Sequence, residues 1–247
     1  MSKNFELIQQ ADIALGGVPK VASANGETRH AAAELAGTMA PTVREECLKL
    51  VQQLFLNAAV SPKAVIFAPI DAADGCGKLC GAVAEILAEN VAGSVCLVDA
   101  NFRAPSLPSV FGAEGGPGLF DALRSSGSIR EFASRVHRDN FYVMGSGSLK
   151  NDPSSLLNSG QMKERIAELR REFDYVLIAA PPMSIYLDAF VLGQQADGLV
   201  LVLEANATRR EAALRVANNL KDSKVQVLGA VLNNRTFPIP AAVYRRI

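Results

Sequence analysis

The chain has 247 residues, about half of them apolar, which is enough for one large domain with a buried core. Lysine and arginine together number 25, as do aspartate and glutamate, so there is no overall positive charge to hold nucleic acid, and nucleic acid is excluded as a main partner. The sequence contains neither an apolar run of about 18 residues nor the apolar core of a signal peptide. We therefore expect a cytoplasmic protein.

The first 40 residues differ in composition from the rest of the chain. They are rich in Ala, Gly, Ser and Glu, carry the turn signals GGVPK and SANGET, and lack sustained periodicity. We predict a flexible arm over 1–40 and a folded domain over 41–247. The domain begins with a predicted helix, TVREECLKLVQQLFLNA, in which Thr42 and Glu45 form a capping box and Leu48 and Phe55 lie on one apolar stripe.

Six short apolar runs follow this helix, separated by helix-like segments. The runs are AVIFAP (64–69), SVCLVDA (94–100), NFYVMGS (140–146), YVLIAAP (175–181), GLVLVLEA (198–205) and VQVLGAVLNN (225–234). Strands that are apolar at nearly every position must be covered on both faces, which predicts an α/β fold with a mostly parallel sheet flanked by helices. Ligands bind such sheets at the carboxyl ends of the strands, so the informative residues are those just after each run.

The four cysteines do not show the spacing of a metal site. Cys47, Cys76, Cys80 and Cys96 do not pair into such motifs, and both histidines lie far from them in sequence. We expect reduced, mostly buried thiols and no metal held by cysteine or histidine.

The loop after the first run, DAADGCGKLCG at 71–81, opens a helix with glycines, and this lets backbone amides face a phosphate. Three interpretations are open. As a dinucleotide fingerprint, the glycines would hold a pyrophosphate and Asp99 a ribose hydroxyl. As a phosphate-binding P-loop, Gly77 and Lys78 match the consensus. The third interpretation is a glycine-rich turn that binds nothing.

Lys78 favours the P-loop interpretation, because an ammonium group beside the loop neutralises phosphate charge and has no role in a dinucleotide fingerprint. Two consensus positions are nevertheless replaced. Ala72 stands in place of the first glycine, and Leu79 in place of the hydroxyl residue that binds Mg²⁺. Cys80 is a poor substitute, since sulfur is too soft a ligand for magnesium.

The loop is one of several motifs that occur in a specific order. They are DGCGKLC (74–80), VDANFRAP (98–105), DPSSLLNS (152–159), FDYVLIAAPP (173–182), Asp188, ADG (196–198) and GAVLN (229–233). In this order and spacing the chain resembles the cytoplasmic domain of the bacterial tyrosine kinases of capsule and exopolysaccharide synthesis. These kinases are P-loop NTPases related to the cell-division and plasmid-partition ATPases. The resemblance implies that ATP or ADP would contact Gly75, Gly77, Lys78, Leu79, Cys80, Arg103 and Asn233.

The resemblance also implies four positions that hold Mg²⁺ and accept the proton of the tyrosine hydroxyl. Here they read Leu79, Asp99, Asn101 and Ala179, so that only Asp99 keeps an acid. An asparagine cannot act as a general base, and an alanine can neither bind metal nor accept a proton. We therefore predict a catalytically degenerate protein with Asp99 as a residual catalytic position and with weak binding of ATP or ADP. Whether Mg²⁺ participates is left open.

The resemblance implies partners as well. We expect a regulatory or scaffold protein that docks on a membrane-bound polysaccharide chain-length or adaptor protein, or on an active kinase paralogue, at the inner face of the membrane. The family's ring interface would correspond to Glu46, Lys49 and Gln52, where arginines are missing, so homo-oligomerisation is left open. The C-terminal tyrosine cluster that family members phosphorylate is reduced to Tyr244.

Two enzyme hypotheses remain as alternatives. The first is an active ATP-dependent tyrosine autokinase or ATPase that uses Asp99 together with another acid, such as Asp71 or Asp74. The second is a dinucleotide-binding oxidoreductase, which follows from the fingerprint interpretation of the glycine-rich loop.

Overall fold

The computed structural model describes residues 12–13, 39–72, 75–113, 115–148 and 160–234. Its centre is one eight-stranded sheet in the order β1-β8-β7-β2-β6-β3-β5-β4. All pairings are parallel except that of β4 with β5. The strands are β1 (Asp12–Ile13), β2 (Ala64–Pro69), β3 (Val95–Asp99), β4 (Ser134–Arg135), β5 (Phe141–Met144), β6 (Tyr175–Ala179), β7 (Gly198–Glu204) and β8 (Val227–Asn233).

The six predicted apolar runs all form strands, namely β2, β3, β5, β6, β7 and β8, and the predicted mostly parallel α/β sheet is confirmed. The sequence did not indicate the two-residue strands β1 and β4, because two residues carry no detectable periodicity. Strand β1 falls within the predicted arm, and residues 1–11 and 14–38 lie outside the described residues.

Seven α-helices lie in the described part of the chain. They are α1 (Pro41–Val51), α2 (Gly75–Asn90), α3 (Leu107–Phe111), α4 (Leu119–Leu123), α5 (Gly160–Glu172), α6 (Asp188–Gly193) and α7 (Arg210–Asp222). A π-helical turn, Gln52–Leu56, extends α1, and a 3₁₀ turn, Ile129–Phe132, precedes β4.

The predicted capping box at the start of α1 is wrong. The N-cap is Ala40, no side chain caps the helix, and Thr42 lies inside the first turn. Pro41 starts the helix instead, since its fixed φ suits the first helical position and its missing N–H would have no partner there.

Two apolar layers cover the sheet. Helices α1, α2 and α3 pack on one face against Val65 and Phe67 of β2 and their neighbours. Helices α4 to α7 pack on the other face against Ile66 and Ala68 of the same strand. Alternate residues of one strand thus enter opposite layers, as expected for a sheet that is buried on both sides.

The four cysteines are all buried free thiols, as predicted for their burial. Desolvation raises the pKa of each one, most simply seen at Cys47, where burial raises the pKa to about 12. Within the described ranges, none of the helices combines the length and apolar character needed to cross a membrane.

Candidate functional site

The candidate site lies at the carboxyl ends of the parallel strands, around the junction between β2 and α2. Strand β2 ends at Pro69, and α2 begins at Gly75. Ala73 and Asp74, between them, lie outside the described residues. Lys78 is partly buried in the first turn of α2 and makes no ion pair or hydrogen bond with any residue that the structure describes. Its ammonium group is thus available to an anion at this edge.

The side chains of Leu79 and Cys80 are part of the apolar core. Both side chains are fully buried in the apolar layer that α2 forms against the sheet. Burial raises the pKa of the Cys80 thiol well above its ordinary value, so sulfur stays protonated and is no metal ligand. Leu79, at the position where the resemblance implies a hydroxyl, is therefore part of the core.

Asp99 ends β3 and is almost completely buried, with 1% of its surface exposed. Its carboxylate accepts three backbone N–H groups, from Asn101 at 3.0 Å, Ser106 at 2.9 Å and Leu107 at 3.0 Å. Burial raises its pKa, and the backbone hydrogen bonds counteract this shift. The carboxylate is therefore committed to holding the following loop and the start of α3, and it is too enclosed to reach a ribose hydroxyl.

Ala179 lies directly beside Asp99. The two residues are register partners at the ends of β6 and β3, and the N–H of Ala100 donates to the carbonyl of Ala179 at 2.9 Å. Phe67 of β2 is the partner of Ala179 on the other side. The sheet thus brings together, at its centre, two of the four positions to which the resemblance assigns catalysis. One is the acid Asp99, and the other, Ala179, carries only a methyl group.

Asn101 and Arg103 occupy the loop after β3. The side-chain oxygen of Asn101 accepts the N–H of Ala104 at 3.3 Å, which closes a local turn. The Arg103 guanidinium forms an ion pair with buried Asp188 at the start of α6 and lies 4.0 Å from the ring centroid of Tyr186. Arg103 therefore links the β3 and β6 loops across the edge of the sheet.

Asn233 ends β8 and lies against the first residue of α2. A Cβ added at Gly75 would overlap the Nδ2 of Asn233, so only glycine allows this approach. Asn233 is 1% exposed, and within the described ranges neither its Oδ1 nor its Nδ2 has a hydrogen-bond partner. A buried amide with both polar atoms unpaired is costly. It is the kind of group that a polar ligand at the start of α2 would satisfy.

Two further groups at this edge were missed by sequence reasoning. Glu204 is the last residue of β7 and Ser106 precedes α3, and the Oγ of Ser106 fills the place that a Cβ at Gly77 would take. The position of Glu204 at the end of an apolar strand could have identified it. The approach of Ser106 to Gly77 depends on tertiary packing and has no local signal. Segment 152–159 and Tyr244 lie outside the described residues.

These features first define a class of protein. A mostly parallel sheet whose central strand is followed by a helix that carries glycines and a lysine in its first turn is the fold of the P-loop NTPases. Comparison with solved structures agrees. The kinase domain of Escherichia coli tyrosine kinase ETK superposes with a TM-score of 0.68 at 18% identity, over 81% of this chain and 77% of that chain. The septum site-determining protein MinD of Pyrococcus horikoshii, complexed with Mg-ADP, gives 0.59 at 19% identity, over 74% and 76%.

Sequence comparison then indicates the nearer kinship. The tyrosine-protein kinase YwqD of Bacillus subtilis is 33% identical over 141 residues, 57% of this chain and 60% of that protein. The tyrosine-protein kinase CpsD of Streptococcus pneumoniae serotype 4 is 30% identical over 138 residues, 56% and 61%. The chain thus spans about 60% of the length of these curated relatives. No protein-family model matches the chain. The predicted resemblance to bacterial tyrosine kinases is confirmed.

Proposed function

We propose that this chain is a catalytically degenerate relative of the bacterial tyrosine kinases that serves capsule or exopolysaccharide production as a regulatory or scaffold protein. The observation that carries the proposal is the pair at the centre of the sheet edge, where Asp99 is held by three backbone N–H groups and its register partner is Ala179. Neither residue is placed to activate a hydroxyl nucleophile.

The chemistry of phosphoryl transfer explains why these changes matter together. Transfer depends on positioned charge, above all on a metal bridging the phosphates and on a group that accepts the proton of the attacking hydroxyl. Leu79 is buried in the core and supplies no hydroxyl ligand for the metal, and Asn101 is an amide in place of an acid. We expect the combined loss to raise the activation barrier of phosphoryl transfer by several kcal/mol.

Weak binding of ATP or ADP is the second part of the proposal. The start of α2 offers Gly75 and Gly77 for close approach of a phosphate, and Lys78 offers an ammonium group that the described residues leave unpaired. The unpaired amide of Asn233 fits a base at the same helix end. Leu79 and Cys80 would contribute backbone alone. When bound with magnesium, a nucleotide supplies a phosphoryl group, which this chain would hold and not transfer.

The partners follow from the kinship. We propose a cytoplasmic domain over 41–247, preceded by an arm over 1–40, which docks on a membrane-bound chain-length or adaptor protein or on an active kinase paralogue. Recruitment to the inner face of the membrane would then come from that partner. The relatives named as tyrosine-protein kinases support the kinship on which this proposal rests.

An active kinase is the second candidate, and Asp71 is the observation in its favour. This acid lies partly buried two residues after the end of β2, and its carboxylate contacts no donor in the part of the chain that the structure describes. It could take the place of a lost acid if a metal drew it toward the phosphates.

Titration calorimetry with ATP and ADP, each with and without Mg²⁺, separates the two candidates. We expect weak binding that magnesium leaves unchanged and that Lys78→Ala abolishes, while the control Lys221→Ala at the end of α7 binds as the wild type does. Labelled phosphate should not be transferred to the chain or to a tyrosine polymer. Binding tightened tenfold by magnesium, with transfer that depends on both Lys78 and Asp71, would instead establish the kinase.

A further inference from the structure

Three unpaired polar atoms lie together at the carboxyl ends of β7 and β8. They are the Oδ1 and Nδ2 of Asn233 and the Oε2 of Glu204, all buried and all without a hydrogen-bond partner among the described residues. Glu204 and Asn233 are register partners, so they lie side by side on adjacent strands. A single buried polar atom without a hydrogen-bond partner occurs in many native proteins. Three such atoms on two neighbouring residues indicate a ligand that would bind all of them.

The strand alternation directs both side chains to the same face of the sheet. Val202 of β7 and Val231 of β8 pack in the layer that contains α2, and Glu204 and Asn233 follow each of them by two residues. The contact of Asn233 with Gly75 confirms this direction. The unpaired atoms therefore face the start of α2, beside the phosphate-binding end of the helix.

Glu204 is held in a fixed position. Its Oε1 accepts the Nδ2 of Asn234 at 2.8 Å, and its backbone N–H donates to the Oγ1 of Thr208 at 2.9 Å. The Nδ2 of Asn234 is in turn 3.4 Å from the place of a Cβ at Gly75. Since Oε1 is engaged, Oε2 remains as a positioned acceptor near the same helix end.

The three atoms offer two acceptors and one donor. A side-chain amide pairs with adenine through the N6 amino group and N7, which would occupy Oδ1 and Nδ2 of Asn233. The second N6 hydrogen then needs an acceptor, and Oε2 of the neighbouring Glu204 supplies one. A 6-oxo purine would place a carbonyl oxygen against this carboxylate, an arrangement of two acceptors with no proton between them.

We propose that Glu204 is a specificity-determining residue that selects a 6-aminopurine nucleotide over a 6-oxopurine nucleotide. This inference rests on the proposed nucleotide site. It assigns to the end of β7 a role that the kinship with kinases does not supply.

The test compares the affinities of ATP and ITP, which differ in the group at position 6 of the purine and in the hydrogen that N1 carries in ITP. We expect the wild-type chain to bind ATP about tenfold more tightly than ITP, because one unpaired acceptor facing a carbonyl has about that effect. In Glu204→Gln, the amide oxygen can keep the bond to Asn234 while the NH₂ group replaces Oε2 with a donor. The ratio should then fall to one or below, since ITP gains a partner and ATP loses one.

The control is Glu211→Gln, an exposed change of the same chemistry in the first turn of α7, which should keep the wild-type ratio. An ATP to ITP ratio that Glu204→Gln leaves unchanged, or a wild-type preference for GTP over ATP, would overturn the assignment of Glu204 while the nucleotide site stands. If no nucleotide binds to the wild-type chain, the proposed nucleotide site fails and this inference fails with it.

Discussion

At the scale of single residues, the four positions that the resemblance assigns to catalysis have different structural roles. Leu79 is part of the core, Ala179 carries a methyl group at the end of β6, and Asn101 closes a turn. Asp99 alone keeps its acid, and its three backbone hydrogen bonds give a structural reason for this. An acid that anchors the loop leading to α3 would be retained whether or not phosphate is transferred.

This account predicts that Asp99 contributes to stability. Asp99→Asn leaves one acceptor oxygen for three N–H groups, and we expect it to lower the free energy of unfolding by about 1–3 kcal/mol in urea titrations. The neutral side chain avoids burial of charge, which limits the loss. Asp139→Asn is the matched control, because the side chain of Asp139 is fully exposed. Its Oδ1 lies 3.5 Å from the Nη1 of Arg135, and a surface ion pair of this kind contributes little to the free energy of unfolding. Equal effects of the two substitutions would contradict the structural role.

At the scale of elements, α2 carries both the candidate site and the most enclosed acid among the described residues. Glu85 is fully buried on this helix, and its Oε1 lies 2.8 Å from the Nε2 of His137. Burial raises the pKa of Glu85 to about 7, with a further increase from Glu89, while Arg138 and Arg44 lower it. Burial also lowers the pKa of His137, so both groups favour their neutral forms in the fold.

The pH dependence of stability follows from the sign of the Glu85 shift. Between its unfolded value near 4.5 and its folded value of about 7, the folded state binds a proton that the unfolded state has lost, so Glu85 costs stability as the pH rises. Glu85→Gln should therefore gain about 2–3 kcal/mol relative to wild type on going from pH 5 to pH 8.

Urea titrations at several pH values measure this difference, and Glu164→Gln on the exposed side of α5 is the control. A Glu85→Gln difference that stays constant from pH 5 to pH 8 would show that Glu85 does not titrate in this range.

The start of α2 gives a second prediction at this scale. Gly75→Ala adds a methyl group where the amide of Asn233 lies, so this buried side chain must move. We expect a loss of about 1–3 kcal/mol in stability and at least a tenfold loss in ATP affinity. Gly160→Ala, at the start of α5, is the matched control because a Cβ there meets nothing within 4 Å. If Gly75→Ala keeps the wild-type affinity for ATP, the contact between Gly75 and Asn233 is not part of the nucleotide site.

At the scale of the whole molecule, the proposed scaffold function depends on surfaces that bind a partner protein more than on the nucleotide site at the edge of the sheet. Of the three positions that the resemblance assigns to a ring interface, Glu46 and Lys49 lie on α1 and Gln52 begins the π-helical turn that follows it. Lys49 pairs with Glu46 at 2.7 Å and with Glu45 at 3.2 Å. These pairs are exposed and contribute little to stability. Lys49 is thus already paired with acids of its own helix, and this makes an ion pair with a neighbouring copy of the chain less favourable.

A genetic experiment tests the scaffold role directly. We expect deletion of the whole chain to reduce polysaccharide output in the organism that carries it, whereas Lys78→Ala leaves output unchanged, because docking does not need nucleotide chemistry. The comparison requires equal amounts of wild-type and variant protein in the cell. Output abolished by Lys78→Ala alone would show that the scaffold proposal is wrong.

The sequence by itself determined the α/β class and six of the eight strands of the sheet, and it predicted the edge at which we place the candidate site. The apolar runs and the glycine-lysine pair are local signals in the sequence. The order of the motifs indicated the kinship with bacterial tyrosine kinases. Only the tertiary structure decided which groups meet there. The pairing of Asp99 with Ala179 and that of Glu204 with Asn233 depend on strand register and on contacts between distant segments. Such contacts leave no periodic trace in the chain, because their partners are separated by tens of residues.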